Sequence, residues 1–146
     1  MAAQVEIYEG ALDRGLEGVV ACSTGISSIQ DATLTYRGYT IEDLAKNSTF
    51  EETVFLLWND RRPSAAELSN LKKELGANMT LDAEFVKVVK GVPTKNVHPM
   101  AWLRTATSLL AHYDQEAQDM SDDANKRKAI RLTAKMTTLV TAFDRI

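Results

Sequence analysis

Residues 96–114 read NVHPMAWLRTATSLLAHYD, and they decide the fold. Pro99 stands where a helix takes its first residue, a place that needs no amide hydrogen and suits a fixed φ. His98 is then at the cap. Trp102, Ala106, Leu109, Leu110 and Tyr113 follow at helical spacing and make one apolar stripe. The stretch predicts a helix over 99–113. It also holds both histidines of the chain, His98 and His112. They lie about 40° apart around such a helix but roughly 20 Å apart along it. They cannot share a metal or a proton. His98 reads as a capping histidine, and His112 as a helix-end histidine favoured by the negative end of the dipole.

Working downstream, the acidic loop DQEAQDMSDD leads into a last helix, 121–146, where acid near the start is favourable. Ile130, Leu132, Ala134, Met136, Leu139, Val140 and Phe143 cover more than one of its faces, so it needs neighbours on several sides. The pattern stops in mid-helix at Ile146, and the expectation is a chain cut from something longer.

Working upstream, three shorter helices are predicted. Thr49 with Glu52, and Ser64 with Glu67, fit the capping box, in which side chain and backbone satisfy each other at a helix start. Phe50, Val54, Leu57 and Trp58 form the expected buried face of the first. Arg61-Arg62-Pro63 breaks that helix. Leu68, Leu71 and Leu75 line the second, with Gly76 as its stop. Leu81, Phe85, Val88 and Val89 face inward on the third, which Gly91 ends. Before them, TIEDLAKN makes one or two turns after a Thr40 cap. The segment VVACSTGISSIQDATLTYRGY is rich in β-formers, and Gln30-Asp31-Ala32 is a plausible turn. It predicts a short β-hairpin. The fold class is mostly α, multi-helical, with that hairpin at the N-terminal side, and 1–146 is one contiguous unit.

Composition excludes more than it assigns. At 146 residues the chain can bury one real core. The net charge of −3 argues against life on phosphate backbones. Lys126-Arg127-Lys128 with Arg131 reads as solvated first turns of a helix. Cys22 is the only cysteine, so no internal disulfide can form and a reducing compartment fits. The first residues, MAAQVEIYEGALDRG, lack the apolar core of a signal peptide. No stretch approaches the ~20 apolar residues of a membrane span. The expected location is cytoplasmic. No Cys or His set has metal-ligand spacing, no serine sits in a nucleophile elbow, and "RGLEG" is no phosphate loop. Glu51-Glu52 and Asp122-Asp123 read as helix-start charges. Residue chemistry alone shows no catalytic set.

The stretch RGLEGVVACSTGISSIQDATLTYRGYTIEDLAKNSTFEETVFLLWNDRRPSAAEL strongly resembles the N-terminal region of citrate synthases, above all the bacterial short type. NVHPMAWLRTATSLL resembles the family's "HPM…LRTA" helix, and ANKRKAIRLTAKMTTLVTAFDRI the next one. The resemblance covers about Arg14 to Ile146. Two departures are visible. Asp31-Ala32 stands at a turn where many members carry glycines, and Thr137 stands where members usually have proline.

The resemblance implies the N-terminal part of the family's large helical domain. It also implies a reaction, the condensation of acetyl-CoA with oxaloacetate to citrate and CoA, with acetyl-CoA as substrate and no resident cofactor or metal. The family's catalytic Asp and two His lie C-terminal to the matched region, so His98 and His112 correspond to none of them, and this chain alone is expected to be inactive. Arg14 aligns with an arginine that in some members lies near the CoA phosphates, a contact suited to a planar, permanently charged guanidinium. The family also implies a homodimer through helices 99–113 and 121–146. Their apolar and small residues agree with that, Leu139 and Phe143 being the expected interface positions. Alternatives are a 2-methylcitrate synthase, which takes propionyl-CoA, and a non-catalytic helical dimerisation module.

Overall fold

The computed structural model describes residue 20 and residues 22–145. The chain divides into two units, 1–47 and 48–146.

The first unit carries β1 (Ser27–Gln30), β2 (Thr33–Tyr36), β3 (Tyr39–Thr40) and α1 (Ile41–Asn47). The strands form an antiparallel sheet in sequence order. Gln30 pairs with Thr33, leaving Asp31-Ala32 as a two-residue turn with φ of 47° and 66°. Tyr36 pairs with Tyr39 across Arg37-Gly38, with φ of 49° and 84°. Positive φ at both central residues is the signature of type I′ turns, whose twist suits hairpins. The expected two-stranded element is therefore corrected to three strands, because Arg37-Gly38 turns the chain a second time. Ala32 holds a left-handed conformation at a position where the resemblance leads one to expect glycine. Ser28 and Thr35, directly opposite, share a hydroxyl hydrogen bond of 3.0 Å. Thr40 Oγ1 accepts from the Asp43 amide at 3.2 Å and caps α1, which buries Leu44.

The second unit is all helical: α2 (Phe50–Asn59), α3 (Ala65–Ala77), α4 (Ala83–Lys90), α5 (Pro99–Leu109) and α6 (Asp122–Arg145). Both predicted capping boxes form. The Thr49 and Ser64 side chains accept from the Glu52 and Glu67 amides, and those glutamates accept from the cap amides in return. Asp60, left-handed at φ 59°, closes α2 ahead of Pro63. Gly76 does not stop α3. The helix runs on to Ala77, and Asn78 ends it by donating its backbone and side-chain N–H groups to the Glu74 carbonyl. Asp82 caps α4 by accepting from the Glu84 and Phe85 amides, and Gly91 ends it without a left-handed turn. The predicted helix 99–113 is α-helical only to Leu109. Leu110–Tyr113 tightens into a 3-10 turn.

Two apolar clusters hold this unit. Phe85, Val89, Trp102, Ala106, Leu110 and Leu139 make one, and Leu71, Leu75, Ile130 and Ala134 make the other. Helix α6 serves both. Ile130 and Leu139 are nine residues apart, which places them about 180° from each other around the helix. The two halves of α6 thus bury opposite sides. The expectation of more than one buried face holds, and its consequence changes. Leu139 is fully buried, and Phe143 lies edge-on to Trp102 at 5.5 Å. Leu139 belongs to the chain's own core, and Phe143, partly buried, packs against it. The outward residues are Leu132 and Val140, the latter 54% exposed.

Helix α2 also departs from its predicted face. Phe50 is 67% exposed and Trp58 lies partly open, whereas Leu56 is buried and Val54 and Phe55 pack on the Leu71–Ile130 cluster. Apolar residues run without a break from Val54 to Trp58, so spacing alone does not single out one face. Neighbouring α3 and α6 select it.

The basic cluster at the start of α6 is not merely solvated. Arg131 clasps Asp114 through Nε and Nη2 at 2.9–3.1 Å and reaches Glu116 at 2.8 Å. Arg127 Nε donates to Glu116 at 2.9 Å. Lys128 donates to the Asp119 carbonyl. Segment 114–119 is thereby pinned along the helix that follows it.

Gly38 tests the second hairpin turn. A Cβ there meets nothing within 4 Å, so any penalty is backbone strain at φ 84°. Gly38→Val is expected to lose about 1–2 kcal/mol. Gly38→Asn should recover part of it, since asparagine visits that region. Denaturant unfolding of the three proteins measures this, and a valine variant with the wild-type midpoint would contradict it.

Candidate functional site

The first question at the site is whether the histidines meet. They do not. His98 is the N-cap of α5, and its Nδ1 accepts from the Met100 amide at 3.2 Å. That nitrogen is therefore occupied by the helix start. His112 lies in the 3-10 turn at the other end of the same element and is exposed. Among the described residues, no group of three or more His, Cys, Asp or Glu could hold a metal ion.

The acidic residues are structural where they engage. Glu52 accepts from the Thr49 amide at 2.6 Å, and this bond holds its carboxyl below the usual range. Glu67 is held at about 2, first by the Arg61 guanidinium and then by the Ser64 amide and hydroxyl. Glu116 is lowered by Arg127 first and Arg131 second. A carboxylate stabilised in this way is a poor general base near neutral pH, because catalysis wants a pKa close to the working range. Asp122 and Asp123 open α6, as the sequence predicts. Cys22 is exposed. Arg14, the predicted CoA-phosphate contact, lies outside the described residues.

Among the described residues the surface offers open grooves. One of about 550 Å³ runs along α6 between Leu132, Met136 and Val140, with Phe50 of α2 at its side and threonines 133, 137 and 141 completing it. It carries no charged residue. Another, of about 540 Å³, lies between α4 and α5. The α6 groove falls on one of the two helices predicted to pair with a second copy, and Phe50 is a lining residue that the sequence placed in the core. No helix among the described residues is long and apolar enough to cross a membrane.

Comparison with known proteins agrees with the fold. The family model described as "Citrate synthase, C-terminal domain" matches residues 15–146. Citrate synthase 2 of Bacillus subtilis (strain 168) is 53% identical over 133 residues, covering 91% of this chain and 36% of that protein. The 2-methylcitrate synthase of Mycobacterium tuberculosis is 38% identical over 131 residues, covering 88% of this chain and 33% of that protein. The crystal structure of citrate synthase from Pyrobaculum aerophilum superposes with a TM-score of 0.77 at 29% identity, over 99% of this chain and 41% of that one. The chain spans about a third of the length of the curated relatives it matches. With a family match over nearly all its residues and the same mainly helical fold, this chain belongs to the citrate synthase family.

Proposed function

We propose that this chain is the N-terminal part of the large domain of a citrate synthase-type acyltransferase, whose reaction joins acetyl-CoA and oxaloacetate into citrate and free CoA. The match over residues 15–146, with 53% identity to a protein named citrate synthase 2, carries the reading. A second reading, 2-methylcitrate synthase, draws on the 38% identity to a protein of that name. The lower identity ranks it second. Acetyl-CoA is a substrate in this reading, not a resident cofactor, and Arg14 is a candidate contact to the CoA phosphates. Cytoplasmic residence belongs to the same reading and rests on the single cysteine.

In this proposal the chain supplies scaffold, and the reacting groups come from elsewhere in the enzyme. The taken nitrogen of His98 and the separation of His98 from His112 support that division. Two arms of one experiment test it. The chain alone should release no CoA thiol from acetyl-CoA and oxaloacetate. A hybrid in which residues 15–146 replace the matching third of the Bacillus subtilis relative should release it. Turnover that tracks the purified chain, or a folded hybrid without turnover, would contradict the proposal.

The same reading makes the protein a homodimer through helices 99–113 and 121–146. The uncharged groove along Leu132, Met136 and Val140 supports this, since a two-fold interface must be complementary to itself. Val140→Asp should then shift sedimentation from dimer to monomer across a concentration series while circular dichroism keeps its helical signal. A wild-type monomer at high micromolar concentration would refute the interface.

A further inference from the structure

Segment 114–119 follows the 3-10 turn and is tied along α6 like a strap. Arg131 holds the Asp114 carboxylate through Nε and Nη2 and reaches Glu116 through Nη1. Arg127 donates to Glu116, and Lys128 to the Asp119 carbonyl. Asp114 also serves the strap's own turn, its Oδ1 accepting from the Glu116 amide at 2.9 Å. The Arg131 and Asp114 side chains are each 22% exposed, so salt screens this pair little. The clasp lies at one end of the helix pair and an aromatic contact at the other, where Trp102 of α5 meets Phe143 of α6 at 5.5 Å. Twelve residues separate Trp102 from Asp114, and twelve separate Arg131 from Phe143. The antiparallel pair is therefore fastened in register at two points about 18 Å apart. The strap also shapes a surface. Asp114 and Ala117 line a groove of about 300 Å³ with Ala111 of the 3-10 turn and Lys128 and Leu132 of α6. Leu132 lines the uncharged α6 groove as well, so the two hollows adjoin.

We infer that the strap is an ionic latch for association: by fixing α5 against α6 and holding Ala117 as a wall of the adjoining groove, it shapes the surface that a second copy of this chain covers. The inference rests on the homodimer reading and deepens it, adding the segment between the two helices to the interface. The occupant is a second copy because the groove continues the outer face of α6, and a two-fold interface needs the same shape in both protomers. A two-pronged guanidinium–carboxylate pair fixes geometry as well as adding attraction. Latch and interface are then linked in both directions. The fastened strap favours association, and association favours the fastened strap to the same extent.

Two double variants of the whole chain test the latch. Asp114→Asn with Glu116→Gln removes its acids and keeps a side-chain oxygen for the strap's own turn. Arg127→Gln with Arg131→Gln removes its bases. The first makes the net charge of −3 less negative and the second more negative, so simple repulsion between copies would move the two in opposite directions. Loss of the latch should instead weaken both dimers, raising the dissociation constant by about fivefold or more in a sedimentation series. Hydrogen exchange at the Ala117 and Asp119 amides, which donate to the Asp114 and Glu116 carbonyls, should quicken by about tenfold in both. Circular dichroism should keep the wild-type helical signal. Should a double variant unfold, Arg127→Gln alone, at a side chain 50% exposed, carries the same expectations at smaller size. The two failures are distinct. A wild-type monomer at high micromolar concentration would overturn the dimer reading and the latch with it. A wild-type dimer whose affinity either folded variant matches would overturn the latch alone.

Discussion

The helical unit depends on how α6 is buried. Leu139 closes on Trp102, Ala106 and Leu110 of α5 and its 3-10 turn, while Ile130 and Ala134 close on Leu71 and Leu75 of α3. One helix thus joins two clusters by using opposite sides at its two ends. Burial of this kind supplies most of the stability of a helical unit, since isolated helices are marginal in water. Helix caps and turns then decide where each helix starts. The Arg131–Asp114 pair, only about a fifth exposed on each side, sets the path of the chain between α5 and α6. Thr138 adds a hydrogen bond of 2.8 Å to the Met79 carbonyl and ties α6 to the segment between α3 and α4.

This architecture explains why the polar residues of the helical unit are mostly structural. A histidine whose Nδ1 receives a helix amide is positioned by the fold. Glutamates that close capping boxes or hold arginines are stabilised as carboxylates. Among the described residues the outer face of α6 stays open. It is uncharged along Leu132, Met136 and Val140 and apolar, as surfaces that meet other protein often are.

Much of this was legible in the sequence because it is local. Capping boxes at Thr49–Glu52 and Ser64–Glu67, and Pro99 after His98, declare helix starts within four residues. The separation of the two histidines follows from helix geometry alone. Three features were not legible. The face of α2 was hidden by the unbroken apolar run from Val54 to Trp58, which only neighbours resolve. The third strand depended on Arg37 adopting positive φ beside Gly38, which a non-glycine residue does not advertise. The clamp on segment 114–119 joins Arg131 to Asp114, seventeen residues apart, and charge patterning within one helix does not reveal it. The assignment of Leu139 to an outer interface failed for a related reason. A helix apolar on several sides shows that it needs neighbours, but not whether they come from its own chain. At the candidate site, the α6 groove is visible in sequence only as a helix face. Its side wall is Phe50 of α2, which spacing placed in the core.

The central claim is that α6 anchors the helical unit from its inner sides and leaves the Val140 side outward. Equilibrium denaturation of Leu139→Ala and Val140→Ala tests it most directly. Leu139 is fully buried, so its truncation should cost about 2–5 kcal/mol, the range for emptying a packed core position. Val140 is 54% exposed, so its truncation should cost under about 1 kcal/mol when measured at concentrations too low for association. Equal losses for the two variants, or a larger loss at Val140, would contradict the account.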